Sequence, residues 1–194
     1  MDDRTSFDAA TRAIAGDDGS SYDRASIWLH WITAVLVFAN FLLAVTWDWF
    51  AKPTRQLMEQ THMSLGVLLA AAIVVRLAWR WLPGHQVASL ESGWIRLASK
   101  ATHYLLYALL VAEAVLGFTF RWGAGRPMAF FGTAIPPLIG EVGRPLVREL
   151  REFHEWIGWT IAILALLHAA AALYHHYVLK DRVLVRMLPG AARR

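Results

Sequence analysis

The stretch HEWIGWTIAILALLHAAAALYHHYVLKDR, residues 154–182, decides the fold. From Trp156 to Leu179, between Glu155 and Lys180, it carries no formal charge. That is enough for a helix to cross a hydrocarbon core of about 30 Å, which takes roughly 20 residues, and far too long for a strand. Three more such runs lie upstream. Ala25–Trp47 sits between Arg24 and Asp48, and Gln60–Leu82 is clean up to Arg76, which is close enough to an end to snorkel. Ala101–Phe120 lies between Lys100 and Arg121 with one internal charge, Glu113. The expected fold class is all-α, an integral membrane four-helix transmembrane bundle; buried helices of a soluble protein are the alternative.

Composition agrees with that expectation. The chain has 194 residues, 57% hydrophobic and 18% charged, with a mean hydropathy of +0.38. This fits one membrane domain with membrane lipid as its surroundings. A net charge of +4 raises the question of nucleic acid, but the basic residues flank apolar runs instead of forming one face. No nucleic-acid partner is expected. The chain has no cysteine, which excludes disulfides, thiolate zinc sites, cysteine-held iron–sulfur clusters and covalently attached haem.

Tryptophan and charge place the segments. Trp28, Trp31, Trp47, Trp49, Trp79, Trp81, Trp122, Trp156 and Trp159 fall at or near the ends of the runs, as an interfacial aromatic belt does, with Trp94 expected in a loop. With both termini cytoplasmic, 12 Lys and Arg lie inside and seven outside, the seven being Lys52, Arg55, Arg121, Arg126, Arg144, Arg148 and Arg151. The expected location is therefore a bacterial inner membrane, crossed several times, with both ends in the cytoplasm. Residues 1–21 lack the apolar core of a signal peptide and read as a flexible cytoplasmic tail. Residues 22–189 form the bundle domain, and 190–194 a C-terminal tail. The segment Arg121–Arg151 reads as the one sizeable outer loop.

Histidine within a bilayer is costly and needs a reason. His154 and His168 are 14 residues apart, about 21 Å along a helix and within roughly 40° of one face. Gly158, Ala165 and Ala172 keep that face small, with Ile161 its one large residue. By depth, His62 meets His154 near the outer surface and His30 meets His168 near the inner one; the swapped pairing would span most of the membrane. Two imidazoles per site, without thiolate or carboxylate, suit two bis-histidine b-type haems, whereas zinc or copper would want a further ligand. Histidines that merely hydrogen-bond between helices are the alternative.

Four other residues admit more than one role. His103 can meet a haem propionate or a quinone, or replace His30 as a ligand. His175 continues the small-residue stripe and is a candidate partner for a quinone carbonyl, against simple snorkelling together with His176. His85, after a Pro-Gly turn, reads as a solvated loop residue. Glu113 reads as a neutral carboxyl bonded to a neighbouring helix, as a proton-relay member, or as a group facing a polar pocket.

The motifs YDRASIWLHW around His30, HMSLGVLLAAAIVVRLAWR from His62, HYLLYALL at His103, GRPMAFFG, HEWIGW at His154 and LHAAAALYHHYVLKDRVLVRMLP from Leu167 carry a resemblance. Over residues 22–189 the chain resembles the small dihaem branch of the bacterial cytochrome b561 family. The resemblance implies haem ligation by His30, His62, His154 and His168. Within the family, the chain is most similar to members that oxidise superoxide to dioxygen on the periplasmic side and pass electrons through two haems to ubiquinone. That similarity implies an enzyme, a superoxide:ubiquinone oxidoreductase, with the quinone near His175. A monomer is the expectation for the chain itself. It also gives the outer arginines, Arg121 and Arg126 foremost, a role in steering the superoxide anion. Glu113 stands where the family pattern leads one to expect an apolar residue. An electron carrier between quinol and a protein partner, and a haem protein without turnover, are the competing functions.

Overall fold

The structure is a computed structural model that describes residues 22–82 and 93–189. Both tails, 1–21 and 190–194, and His85 lie outside the described residues. Four long helices carry the architecture: α1 Arg24–Thr46, α2 Lys52–Trp81, α3 Gly93–Gly123 and α4 Arg144–Tyr174. All four are long and apolar enough to cross a membrane. They are joined by a one-turn 3-10 helix, Trp47–Trp49, and by a hairpin of β1 Met128–Phe130 with β2 Thr133–Ile135. The four-helix reading therefore holds.

Three boundaries differ from expectation, and charge explains why. Helices continue past the last apolar residue wherever water can solvate the side chains. Thus α2 begins at Lys52 and α4 at Arg144, so His62 and His154 each lie ten residues, roughly 15 Å, inside a helix instead of opening it. Pro53 and Pro145 sit in the first turn, where a missing N–H costs nothing. Trp94 likewise belongs to the start of α3 and not to a loop, and is 78% exposed. The segment Arg121–Arg151 is not one loop: its ends are helical and its middle is the hairpin.

The hairpin turns through Phe131 (φ 42°) and Gly132 (φ 83°), both in the left-handed region that a two-residue turn with right-handed strand twist requires. Buried Ser64 of α2 anchors it, its hydroxyl accepting from the Phe131 N–H at 3.0 Å and donating to Gln60 O at 2.8 Å. The hairpin thus rests on α2 two residues from His62. We call this the hairpin end of the bundle, and the other the termini end.

The interior is sparsely filled. α1 packs chiefly along α2, and α3 along α4. Between the pairs a small apolar cluster, Leu69, Ile73, Leu110 and Ile161, forms the core. Ile161 lies midway between His154 and His168, so this cluster separates the two histidine levels by about 10 Å on either side. Large apolar side chains elsewhere point outward, among them Val35, Phe38, Val74, Ile163 and Leu166. In water such a surface would aggregate; in a bilayer it faces acyl chains.

The termini end is tied by polar contacts. Asp23 caps α1, accepting from the Ser26 N–H at 2.9 Å and hydroxyl at 2.6 Å, and also from Trp79 Nε1 at 3.2 Å. Trp31 Nε1 donates to Met187 O at 2.7 Å, holding the last segment on α1. α4 ends in a wide turn over His175–Leu179, closed by Lys180 in the left-handed region (φ 55°). Beyond it, Asp181 accepts from His175 Nδ1 through one oxygen and from the Val183 N–H through the other.

Two measurements check these ties. Replacing Asp23 by Ala removes a cap and the Trp79 contact together, so thermal unfolding in detergent should show a loss of about 1 kcal/mol or slightly more, which Asn largely restores. Partial burial raises the Asp181 carboxyl, but the hydrogen bonds from His175 and Val183 outweigh it and hold the carboxyl below its ordinary value. The stabilisation from Asp181 is accordingly present above the ordinary carboxylate pKa and lost as pH falls through the depressed one. Asp181→Asn should flatten the acid limb of a stability–pH profile below about pH 4 by lowering the stability at neutral pH toward its acid value.

Candidate functional site

The helices bring the intramembrane histidines together at two levels. At the hairpin end His62 of α2 faces His154 of α4, ring centres 6.3 Å apart and planes at 88°. At the termini end His30 of α1 faces His168 of α4 with the same 6.3 Å separation, planes at 71°. The two pairs are those that depth alone indicated. His103 also reaches the termini-end level, its ring centre 5.1 Å from that of His168.

The 6.3 Å spacing has a chemical meaning. Nitrogen–metal bonds of about 2.0 Å on opposite sides of one ion put two imidazole centres roughly 6 Å apart. Both pairs match that span, and the 5.1 Å separation of His103 from His168 is too short for it. The His30–His168 separation repeats that of His62 and His154, and His103 lies closer to His168 than His30 does.

Hydrogen bonds at Nδ1 orient the hairpin-end rings. His62 Nδ1 lies 3.1 Å from Asn40 O on α1, and His154 Nδ1 lies 3.2 Å from Glu113 O on α3. A carbonyl only accepts, so each ring carries its proton on Nδ1 and keeps an unprotonated Nε2. That is the form and the outer support that metal-binding imidazoles use. His30 is set differently: its Nδ1 is 3.1 Å from Arg76 Nη2, a group that only donates.

Space around the rings is kept by small residues. A Cβ at Gly117 would come within 3.3 Å of His154 Cε1, and one at Gly158 within 3.2 Å of Glu113 Oε1. Gly66, one turn in from His62, would meet nothing within 4 Å, which leaves room for a flat group beside the pair. Buried polar atoms without a hydrogen-bond partner among the described residues are Asn40 Oδ1, Glu113 Oε2 and Trp122 Nε1. Aromatic walls complete the level: Trp47 stands edge-on to His62 at 5.4 Å and Phe120 to His154 at 5.4 Å. No group of three or more His, Asp or Glu side chains that could cage a bare ion occurs among the described residues. Paired imidazoles bracketing a flat, apolar space are the donor set of a six-coordinate haem.

The remaining candidates fall at the two ends. Arg76 and Arg80 line a cleft with Tyr22, Ser26, Trp79 and Tyr107 at the termini end, and the Arg76 guanidinium lies over the Tyr107 ring at 5.1 Å. The contact of Arg76 with His30 was not legible in the sequence, where Arg76 read only as a snorkelling cation; their 46-residue separation carries no periodic signal. His175 is held by Asp181 at the same end. At the hairpin end, Arg121 is half-buried and donates through Nε to Pro127 O at 3.0 Å, while Arg126 is exposed. The basic surface expected there is thinner than the count of cations implies. Arg55 pairs with Asp48 at 2.7 Å and Glu59 at 2.9 Å, Arg148 with Glu152 at 3.6 Å and Arg151 with Glu155 at 3.4 Å. Neither Arg121 nor Arg126 has such a carboxylate partner among the described residues.

Comparison with known proteins agrees with this geometry. Residues 21–190 match the family described as prokaryotic cytochrome b561. The chain is 30% identical over 177 residues to cytochrome b561 homolog 2 of Escherichia coli K12, covering 86% of this chain and 90% of that one. It is 31% identical over 182 residues to cytochrome b562 of Cereibacter sphaeroides, covering 86% and 94%. A probable superoxide oxidase of Yersinia pestis is 27% identical over 172 residues, covering 87% and 96%. With four membrane-capable helices and a match over nearly its whole length, the chain belongs to the prokaryotic cytochrome b561 family, membrane proteins that carry electrons with b-type haem.

Proposed function

We propose that residues 22–189 hold two b-type haems, one between His62 and His154 and one between His30 and His168, and pass electrons between the faces of a bacterial inner membrane. The observation that carries this is the repeated 6.3 Å spacing of imidazoles at two levels of one bundle. When bound, the haems supply one-electron chemistry; the chain supplies ligation, burial and spacing. Nδ1 bonds to Asn40 O and Glu113 O point Nε2 of His62 and His154 into the gap, and the apolar cluster around Ile161 keeps the two levels apart and dry. Arg76 and Arg80 give the termini-end cleft a cationic wall suited to carboxylates such as propionates, and His103 is a second candidate contact there.

The reaction we propose is oxidation of two superoxide anions to two dioxygen molecules, their two electrons, with two protons taken from water at the quinone, converting ubiquinone to ubiquinol. Superoxide is oxidised at the hairpin end, on the periplasmic side, with both termini in the cytoplasm and the quinone near His175. Support comes from the name of the Yersinia pestis relative and from Arg121 and Arg126, which form no ion pair with a carboxylate among the described residues. An electron carrier between quinol and a protein partner is the second reading. It is favoured by apolar side chains exposed at the same end, Phe131 at 61% and Leu138 at 73%, which a docked protein would cover.

Ligand assignment is tested by haem stoichiometry and visible spectra. His62→Ala or His154→Ala should remove the hairpin-end haem and leave one low-spin haem per chain; His30→Ala or His168→Ala should remove the other, and His103→Ala should keep both. Two intact haems in any of the four ligand variants would refute the assignment. The reaction is tested by stopped-flow mixing of the oxidised protein with superoxide, with and without a ubiquinone analogue. Rapid haem reduction should be slowed several-fold by 0.5 M salt or by the Arg121→Ala, Arg126→Ala pair, and drained by the quinone, with about half the screening length of physiological salt as the cause. Ready reduction by quinol with none by superoxide would establish the carrier instead.

A further inference from the structure

Glu113 is a carboxyl far along a membrane-spanning helix, 20 residues from the start of α3, where charge is costly. Its side chain is 18% exposed and has one partner, the imidazole of His154: Oε1 lies 3.3 Å from Nδ1, beside the main-chain carbonyl of the same glutamate at 3.2 Å. No arginine or lysine lies within ion-pair distance of it among the described residues, and Oε2 is buried without a partner. Gly158, the residue one turn along α4 from His154, leaves the carboxyl its place, since a Cβ there would meet Oε1 at 3.2 Å. The partner ring differs: His62 has a main-chain carbonyl at Nδ1 and no carboxyl.

The termini-end pair has the opposite arrangement. There the group at Nδ1 of His30 is a guanidinium, Arg76 Nη2 at 3.1 Å, and its side chain is partly buried between α1, α2 and Tyr107 of α3. One level thus places an acceptor of acidic type against an imidazole, and the other a fixed cation. An acceptor at Nδ1–H makes an imidazole a more basic ligand and stabilises the oxidised iron it binds. A ring whose Nδ1 accepts from a guanidinium carries its proton on Nε2, so the Arg76 contact opens when His30 binds iron, and the nearby cation then favours the reduced iron by its charge.

We infer that Glu113 and Arg76 are positioning residues that set the order of the two reduction potentials, Glu113 lowering that of the hairpin-end haem through His154 and Arg76 raising that of the termini-end haem by its charge beside His30. Electrons entering at the hairpin end then run downhill to the termini end. The inference rests on the ligand assignment made above.

The test is a spectroelectrochemical titration of the purified dihaem protein and three variants, with haem stoichiometry and the low-spin visible spectrum recorded for each. Glu113→Leu should raise one midpoint by about 59 mV, a tenfold shift in a one-electron equilibrium, and leave the other unmoved. Glu113→Gln, which keeps an acceptor oxygen in the same volume, should raise the same midpoint by less. Arg76→Met should lower the other midpoint by a similar tenfold step. If Glu113→Leu does not assemble, Glu113→Gln and Arg76→Met decide. Variants that retain two low-spin haems with both midpoints unchanged, or with both moved together, would overturn the inference while leaving the ligand assignment standing. A wild-type protein that binds fewer than two low-spin haems would overturn the assignment itself, and the inference with it.

Discussion

At the hairpin end, each imidazole of the facing pair is bound at Nδ1 to a main-chain carbonyl of the neighbouring helix: His62 of α2 to Asn40 of α1, and His154 of α4 to Glu113 of α3. These bonds fix three things at once. They register α1 against α2 and α3 against α4 at one depth, they choose the tautomer that leaves Nε2 free, and they turn both rings into the same gap. In hydrocarbon, where water cannot take over a lost partner, such a bond is a strong constraint on how two helices meet.

The emptiness of the bundle follows from the same requirement. Helices that closed on each other with large side chains would leave no room between the rings. Instead the chain places Gly66, Gly117 and Gly158 beside the histidines and confines its true core to Leu69, Ile73, Leu110 and Ile161, between the two levels. The bilayer makes this affordable, because apolar side chains turned outward lose nothing by facing lipid. Stability is then concentrated at the ends, in the Asp23 cap with Trp79, the Trp31 bond to Met187, the His175–Asp181 closure and the Ser64 anchor of the hairpin.

Electrostatics divides the molecule along the membrane normal. The surface around the hairpin is less positive than its arginines imply, since Arg55, Arg148 and Arg151 are spent on Asp48, Glu59, Glu152 and Glu155. Within the span the ionisable groups beside the histidines are the Glu113 carboxyl at one level and the Arg76 guanidinium at the other. Polar groups placed this way act over a few ångströms and at low dielectric, where salt screens them little.

Much of this was legible in the chain alone, because the bilayer imposes periodicities that sequence must obey. The uncharged run Trp156–Leu179 and its three counterparts announce spanning helices, and the spacing of His154 from His168 on one face already separates two levels. Depth then leaves one sensible pairing with His62 and His30, the pairing the helices adopt. What the chain alone could not show is how far helices run into water past their apolar ends, as Lys52–Gln60 and Arg144–Glu155 do, or that a hairpin covers one end. Nor could it show that His103 lies nearer to His168 than His30 does, or place Arg76 on His30 and Glu113 on His154. Hydrophobic patterning specifies which residues enter the membrane and at what depth, because transfer energy depends on each residue by itself. Which side chains touch depends on helix rotation and packing between segments distant in sequence, and that only the tertiary structure decided.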